Sequence, residues 1–191
     1  MEDVRPRDRE REFEQLYEAS YGAVLAYTQR RVEAAADAAD AVAETFTVAW
    51  RRLDEIPEGE SLPWLYGVAR RVLANQRRGD RRRADLSSRL RSQPAPKVEI
   101  EGLVEADEDR HRVLSALSRL KEADREVLRL AAWEELSHRD IALVVGCSEP
   151  SVAVRLHRAR NRLGREIGKE DRRAGQDRGA GPGRRAEGQV P

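Results

Sequence analysis

Residues 137–152, with the sequence SHRDIALVVGCSEPSV, decide the fold of the C-terminal half of this chain. Ser137 followed three residues later by Asp140 is typical of a capping box, which begins a helix. Gly146 can adopt the left-handed backbone conformation of a tight turn, so it is predicted to end that helix. Ser148 is a favourable N-cap for a second helix, whose first turn tolerates the proline two positions later. Two helices joined by a tight turn that contains glycine indicate a helix-turn-helix.

The second predicted helix has one apolar face and one basic face. The apolar positions at helical spacing are Val152, Leu156, Ala159 and Leu163. The opposite face carries Ser151, Val154, Arg155, His157, Arg158 and Arg162. Residues 151–165 contain five Arg and no acid. Such a face suits the major groove of DNA, where Arg contacts guanine edges and phosphates. The alternative is the solvated face of a plain bundle, but the cap, the turn and the basic face coincide here.

Apolar residues also recur at helical spacing in the N-terminal half, and no two-residue alternation indicates a strand. A first stripe consists of Phe13, Leu16, Tyr17, Tyr21, Val24, Thr28 and Val32. A second consists of Ala38, Ala41, Val42, Thr45, Phe46, Ala49, Trp50 and Leu53. After a break at residues 56–61, a third helix is predicted to open with Pro63 and to run to about Arg78. Together these stripes predict a three-helix bundle and an all-α fold.

The charges are segregated although they nearly cancel, with 36 basic and 35 acidic residues and a formal net charge of +1. Residues 66–83 hold seven Arg against Asp80 alone, a balance of +6. Residues 33–60 hold eight acids against two Arg, a balance of −6. Two basic faces and one acidic face predict at least two kinds of partner.

Several classes of function are excluded or disfavoured by the sequence. A single cysteine, Cys147, allows neither an intramolecular disulfide nor a cysteine-rich metal site. The three histidines are not at metal-binding spacing, and no nucleophile–base pair or phosphate loop is visible, so neither an enzyme nor a cofactor is expected. No apolar run approaches the roughly 18 residues of a membrane span. We therefore expect a cytoplasmic protein without membrane insertion.

The pattern predicts two small helical domains joined by a flexible linker. The first domain is expected at residues 11–83 and the second at residues 108–168. Residues 84–107, which include SQPAP and an acidic run, are expected to form the linker. Residues 1–10 and 169–191 lack apolar periodicity and are expected to be disordered.

Two sets of motifs carry a resemblance to a known family. Residues 117–128 (LSRLKEADREVL), 136–142 (LSHRDIA) and 155–160 (RLHRAR) resemble region 4 of sigma factors of the extracytoplasmic-function (ECF) type. Residues 38–46 (AADAVAETF) with AWRRL at 49–53 are similar to region 2.2 of that family. Residues 63–70 (PWLYGVAR) resemble its regions 2.3 and 2.4. The two sets occur in the family's order and leave no room for a separate region 3 domain.

The resemblance implies a role for each charged face. Core RNA polymerase, through the coiled coil of its largest subunit and its flap, and promoter DNA are the implied partners, and an anti-sigma factor is a common further partner in the family. The residues implied to bind core polymerase are Asp37, Asp40, Glu44 and Arg51. Those implied to hold the −10 element, beside the loop 56–61, are Trp64, Tyr66, Arg70, Arg71, Asn75, Arg77 and Arg78. Those implied to read the −35 element are Ser148, Glu149, Ser151, Val154, Arg155, His157 and Arg158.

Some positions depart from the family pattern, and two other classes of protein stay open. Ala153 stands where relatives often have Lys or Arg, Val154 where a small hydroxyl is common, and Arg71 where Asn is frequent. These departures leave the −35 sequence unspecified. For Trp64, packing in the core is an alternative to a role on DNA. The rival to a sigma factor is a stand-alone helix-turn-helix regulator with a sensing or dimerisation module, and an enzyme with a fused DNA-binding domain is a third class.

Overall fold

The computed structural model describes the backbone of residues 6–88 and 106–179, and the side chains of residues 7–82, 110 and 112–169. The described backbone consists of seven α-helices and one short 3₁₀ helix, and it contains no strand, which confirms the all-α prediction. The helices are α1 (Pro6–Gln29), α2 (Ala35–Arg51), the 3₁₀ helix (Leu53–Glu55), α3 (Ser61–Ser88), α4 (Ala106–Ser118), α5 (Glu122–Ala132), α6 (His138–Val145) and α7 (Glu149–Gly179).

Helices α1, α2 and α3 pack pairwise around a common core. The apolar stripe predicted for α2 is buried, except that Trp50 at its end is 39% exposed. Thr45 lies inside this core, where its hydroxyl donates a 2.7 Å hydrogen bond to the carbonyl oxygen of Ala41, so its burial leaves no unmet polar group. An aromatic cluster links α1 to α2, with the rings of Phe13 and Trp50 5.2 Å apart between centroids. The predicted bundle is therefore present.

The chain divides into two compact units, and the first contains more than this bundle. Residues 1–98 and 130–152 form the first unit, in which α6 packs directly against α3. Gly67 of α3 lies at this contact, where an added Cβ would be 3.6 Å from the Cα and the carbonyl oxygen of Val144. A methyl group would therefore fit at ordinary contact distance, and a larger side chain would crowd α6.

Residues 99–129 and 153–191 form the second compact unit, described for its parts in α4, α5 and α7. Its buried apolar side chains are Ala116, Leu117, Leu120, Val127, Leu128, Leu156 and Ala159. They lie along α4, α5 and α7, except Leu120, which lies between α4 and α5.

Several segments expected to be disordered or to act as linker are helical. Residues 6–10 begin α1, residues 84–88 end α3, and residues 169–179 end α7. Arginine, alanine and glutamate favour helix even without an apolar stripe, and periodicity does not report this tendency. At the start of α1, Arg9 adds a tether: its guanidinium donates to Asp54 Oδ2 at 2.8 Å and to the carbonyl oxygen of Trp50 at 2.9 Å. The remaining parts of those expectations, at 1–5, 89–105 and 180–191, lie outside the described residues.

The linker was expected to extend to residue 107, but residues 106 and 107 are the first two residues of α4. Within the described ranges, no helix combines the length and the apolar character that crossing a membrane requires.

Candidate nucleic-acid interface

The helix-turn-helix is built by the local contacts that the sequence predicted. The Oγ of Ser137 accepts a 3.1 Å hydrogen bond from the backbone N–H of Asp140, and Asp140 Oδ2 accepts one of 3.2 Å from the N–H of Ser137. These reciprocal bonds form the capping box that starts α6. Gly146 ends α6 in the left-handed conformation, with φ 71° and ψ 49°, and its N–H donates to the carbonyl oxygen of Ala142 at 2.9 Å. The capping box and the glycine turn are confirmed.

Helix α7 presents a buried face and an exposed basic face. Its side chains of Val152, Leu156 and Ala159 are at most 1% exposed. Of the residues predicted to read the −35 element, Ser151 is half-buried and the others are exposed, namely Ser148, Glu149, Val154, Arg155, His157 and Arg158. Ser148 and Ser151 join their hydroxyls at 2.8 Å, and His157 bonds to Asn161 at 3.0 Å. The exposed face therefore offers arginine, imidazole and hydroxyl groups to solvent.

The sequence placed Arg162 on the basic face of α7, but its guanidinium is engaged in an ion pair within the protein. Its guanidinium donates to the carboxylate of Asp124 on α5, whose side chain is 11% exposed. The pair lies inside the second compact unit and holds α7 to α5. Sequence reasoning missed it because the two residues are 38 positions apart.

The basic face of α3 is only partly available. Arg71, Asn75 and Arg78 are exposed, and the side chain of Arg78 donates to Asn75. Arg71 also donates from Nε to the carbonyl oxygen of Gly67 at 3.0 Å. Arg70 and Trp64 are half-buried. Arg77 is half-buried too, and its Nη2 donates to the carbonyl oxygen of Arg31 at 2.9 Å, so part of its role is to fix the end of α1.

Tyr66 lies in the core, which corrects the expectation that its ring stands beside the arginines of α3 to receive a base. The side chain is 4% exposed and stacks on Tyr27, with centroids 4.8 Å apart and planes at 21°. Burial raises the pKa of the Tyr66 phenol, and the negative charge of Glu134 raises it further. In this conformation the ring is not accessible to DNA.

The polar face of α2 is exposed along its length. Asp37, Asp40, Glu44 and Arg51 are all exposed, while the opposite face of the same helix is buried. Three carboxylates within two turns give this surface a negative potential at neutral pH. The structure brings these four predicted residues together on one helix.

Sequence reasoning did not single out an ion-pair cluster in the first compact unit. The carboxylate of Glu134, in the loop between α5 and α6, accepts a 2.7 Å hydrogen bond from Arg31 Nη1 and a 2.9 Å hydrogen bond from Arg30 Nη2. The side chains of Glu134 and Arg31 are 0% and 2% exposed. The next residue, Glu135, is the one non-glycine residue with positive φ, 52°, within the described ranges. The adjacent arginines at the end of α1 were the signal available in the sequence.

Comparison with known proteins gives two family matches. The model for Sigma-70 region 2 matches residues 16–83, and the model for region 4 of Sigma-70 matches residues 110–163. The ECF RNA polymerase sigma factor SigL of Mycobacterium tuberculosis is 31% identical over 146 residues, which cover 75% of this chain and 82% of the relative. The RNA polymerase sigma factor YlaC of Bacillus subtilis is 29% identical over 168 residues, covering 82% and 92%.

Solved structures show the same likeness. The sigma factor RpoE of Bartonella quintana, in complex with the anti-sigma factor NepR, superposes with a TM-score of 0.64 at 25% identity and covers 82% of this chain and 96% of that one. CnrH, in complex with the cytosolic domain of CnrY, superposes with a TM-score of 0.55 at 26% identity and covers 82% and 88%.

Proposed function

This chain belongs to the ECF group of the sigma-70 family. From that membership we propose which of its surfaces bind the −35 element, the −10 element and core RNA polymerase. A sigma factor binds core RNA polymerase and directs promoter-specific initiation of transcription, and regions 2 and 4 are present here in that order. The stand-alone helix-turn-helix regulator is not favoured, because the N-terminal half matches region 2 rather than a sensing module.

The exposed face of α7 is proposed to read the −35 element in the major groove. The observation that carries this proposal is the combination of a buried face, at most 1% exposed at Val152, Leu156 and Ala159, with an opposite face bearing Arg155, His157 and Arg158. Arg158 is assigned to a base edge, and Arg155, nearer the packed face, to the phosphate backbone. Ser148, Glu149, Ser151 and Val154 complete the surface.

The exposed side chains of α3 are proposed to hold the −10 element together with the loop 56–61. Arg71, Asn75 and Arg78 are exposed, and Arg70 and Trp64 are half-accessible beside them. Cationic groups near an aromatic ring suit a strand that is being opened, since phosphates attract charge and unstacked bases favour flat partners. Tyr66 is left out of this surface because it is buried.

The exposed carboxylates of α2 are proposed to dock on the coiled coil of the largest polymerase subunit, with Arg51 at the end of the same face. Region 4 is proposed to contact the flap. The protein is proposed to work in the cytoplasm, where core polymerase and promoter DNA occur, and to leave catalysis to the polymerase. An anti-sigma factor is a proposed further partner, as RpoE of Bartonella quintana was solved bound to one.

Run-off transcription with purified core polymerase tests the proposal. The protein with core enzyme is expected to open promoters specifically, whereas the protein alone should bind promoter duplex weakly, because each recognition helix offers only a small surface. Tight and specific duplex binding without polymerase, together with no transcript when polymerase is added, would contradict the assignment.

A further inference from the structure

The ion-pair cluster around Glu134 has the composition of a built anion site. Both carboxylate oxygens of Glu134 are bound, one by Arg31 and one by Arg30, and the carboxylate is fully enclosed. Two guanidinium groups that converge on two oxygens are the arrangement with which proteins bind carboxylates and phosphates alike. In this structure the bound anion is the carboxylate of Glu134 from the same chain.

The arginine side of this site is held in position by contacts other than those with Glu134. The guanidinium of Arg31 lies 3.5 Å from the centroid of the Tyr27 ring and donates a 3.0 Å hydrogen bond to the Tyr27 carbonyl oxygen. Arg77 of α3 donates to the Arg31 carbonyl oxygen, so the end of α1 is tied to the basic helix. A site fixed in this way keeps its shape when its anion changes.

The glutamate side is attached by contacts of a different kind. Glu134 precedes α6, which packs on α3 with the Val144 backbone in contact range of Gly67. A second ion pair joins Arg139 of α6 to Glu60 at 2.6 Å, and its arginine side chain is 78% exposed. Exposed ion pairs of this kind contribute little to stability. Glu134 is therefore the strongest polar attachment of this segment, beside the apolar packing of α6 through Ile141 and Val144.

We propose that Arg30 and Arg31 form a binding site for a backbone phosphate of promoter DNA, and that Glu134 occupies this site when DNA is absent. The inference rests on the proposed role of α3 in holding the −10 element, since the site adjoins that helix through Arg77. Glu134 and a phosphate cannot occupy the same two guanidinium groups. Phosphate binding at Arg30 and Arg31 therefore requires the loop between α5 and α6 to withdraw.

Because of this competition, the apparent affinity for DNA is the intrinsic affinity multiplied by the fraction of molecules in which the site is vacant. Glutamine at position 134 keeps the size of the side chain but removes its charge, which weakens its hold on both arginines. Glu135→Gln removes the same charge from the neighbouring exposed residue, so it is the matched control.

The test measures fluorescence anisotropy of a labelled random-sequence single-stranded DNA of about 20 nucleotides against the full chain. Glu134→Gln is expected to bind about threefold to tenfold more tightly than the parent, and Glu135→Gln like the parent. Adding Arg30→Gln to Glu134→Gln should remove the gain and make the salt dependence shallower, by about 0.7 per lost phosphate contact. No gain for Glu134→Gln, or an equal gain for Glu135→Gln, overturns the inference.

A second variant opens the segment without touching the ion pair. The methyl group of Gly67→Ala fits at ordinary contact distance, 3.6 Å from the Val144 backbone and from Arg71 Nη2, whereas the larger side chain of Gly67→Val crowds both neighbours. Gly67→Val should gain DNA affinity and Gly67→Ala should not, and equal behaviour of the two overturns the inference. Circular dichroism on each variant verifies its helical content.

Parallel transcription assays with core polymerase separate this inference from the proposed function. A parent that supports transcription, with no gain for Glu134→Gln or Gly67→Val, overturns the phosphate site alone. A gain in DNA binding without any promoter-specific transcript overturns the proposed promoter surfaces, and it leaves Arg30 and Arg31 as a phosphate site for DNA of any sequence but not for promoters.

Discussion

Asp124 at the start of α5 is paired with Arg162 on α7, and this contact joins two helices of the second compact unit. The carboxylate is nearly enclosed while the guanidinium is 44% exposed. The arginine therefore compensates a charge that has lost most of its water.

Removing that arginine should destabilise the protein. We expect Arg162→Ala to lower the free energy of unfolding by about 1–2 kcal/mol, because Asp124 loses a charged partner whose exposure moderates the effect. Urea unfolding followed by circular dichroism measures the change. Arg160→Ala, at an exposed position of the same helix, is the control and should change stability by less than about 0.5 kcal/mol. Equal stability of the two variants would show that the pair contributes nothing.

Reversing charge on the exposed face of α2 should weaken binding to core polymerase. The double variant Asp40→Lys with Glu44→Lys is expected to lose roughly tenfold in affinity, about 1.4 kcal/mol, while its helical content is unchanged because both residues are exposed. Titration of labelled protein with core enzyme gives the affinity. Glu14→Lys with Glu18→Lys makes the same change on exposed residues of α1 and should bind like the parent. Wild-type affinity in the α2 variant would mean that polymerase docks elsewhere.

Arg158 should determine one base of the −35 element. If it contacts a guanine edge, Arg158→Ala costs about 1–3 kcal/mol and relaxes preference at that position. Arg155→Ala, in contrast, should weaken output equally on every sequence and reduce the salt dependence. Promoter output measured across all single-base changes of the −35 element distinguishes the two. An unchanged base profile for Arg158→Ala would place recognition on another face of α7.

The raised pKa of Tyr66 predicts a loss of stability at alkaline pH. The phenol binds its proton more tightly in the folded state than in the unfolded chain, whose ordinary value is 10.0. The unfolded state therefore releases this proton first, and stability falls as pH rises above that value through the folded pKa. Absorbance titration at the phenolate band, together with unfolding at pH 9 to 11, should show a steeper loss for the parent than for Tyr66→Phe. Identical slopes would remove Tyr66 as the cause.

The sequence predicts well what depends on neighbouring residues. Ser137, Asp140 and Gly146 fix the start and end of α6 through bonds that span three or four positions, and such bonds follow from residue type. The buried stripe of α2 was likewise predicted, because helical spacing alone determines which side chains share a face. The motifs that resemble sigma factors then assigned the N-terminal half to region 2 and the C-terminal half to region 4.

Contacts between distant residues could not be predicted in this way. Tyr66 was expected beside the arginines of α3, but its side chain is only 4% exposed. It is buried because Tyr27 stacks on it within a unit that also contains α6. The pair of Arg31 and Glu134 spans 103 positions, and neither residue type reveals its partner.

The conformation of Glu135 has a consequence for how this sequence could drift over time. An L-residue at a φ of 52° costs about 1–2 kcal/mol relative to ordinary backbone, and glycine avoids most of that cost. A single substitution to glycine would thus settle the turn between α5 and α6 into its present shape. A lineage that keeps a side chain at position 135 retains this local backbone cost.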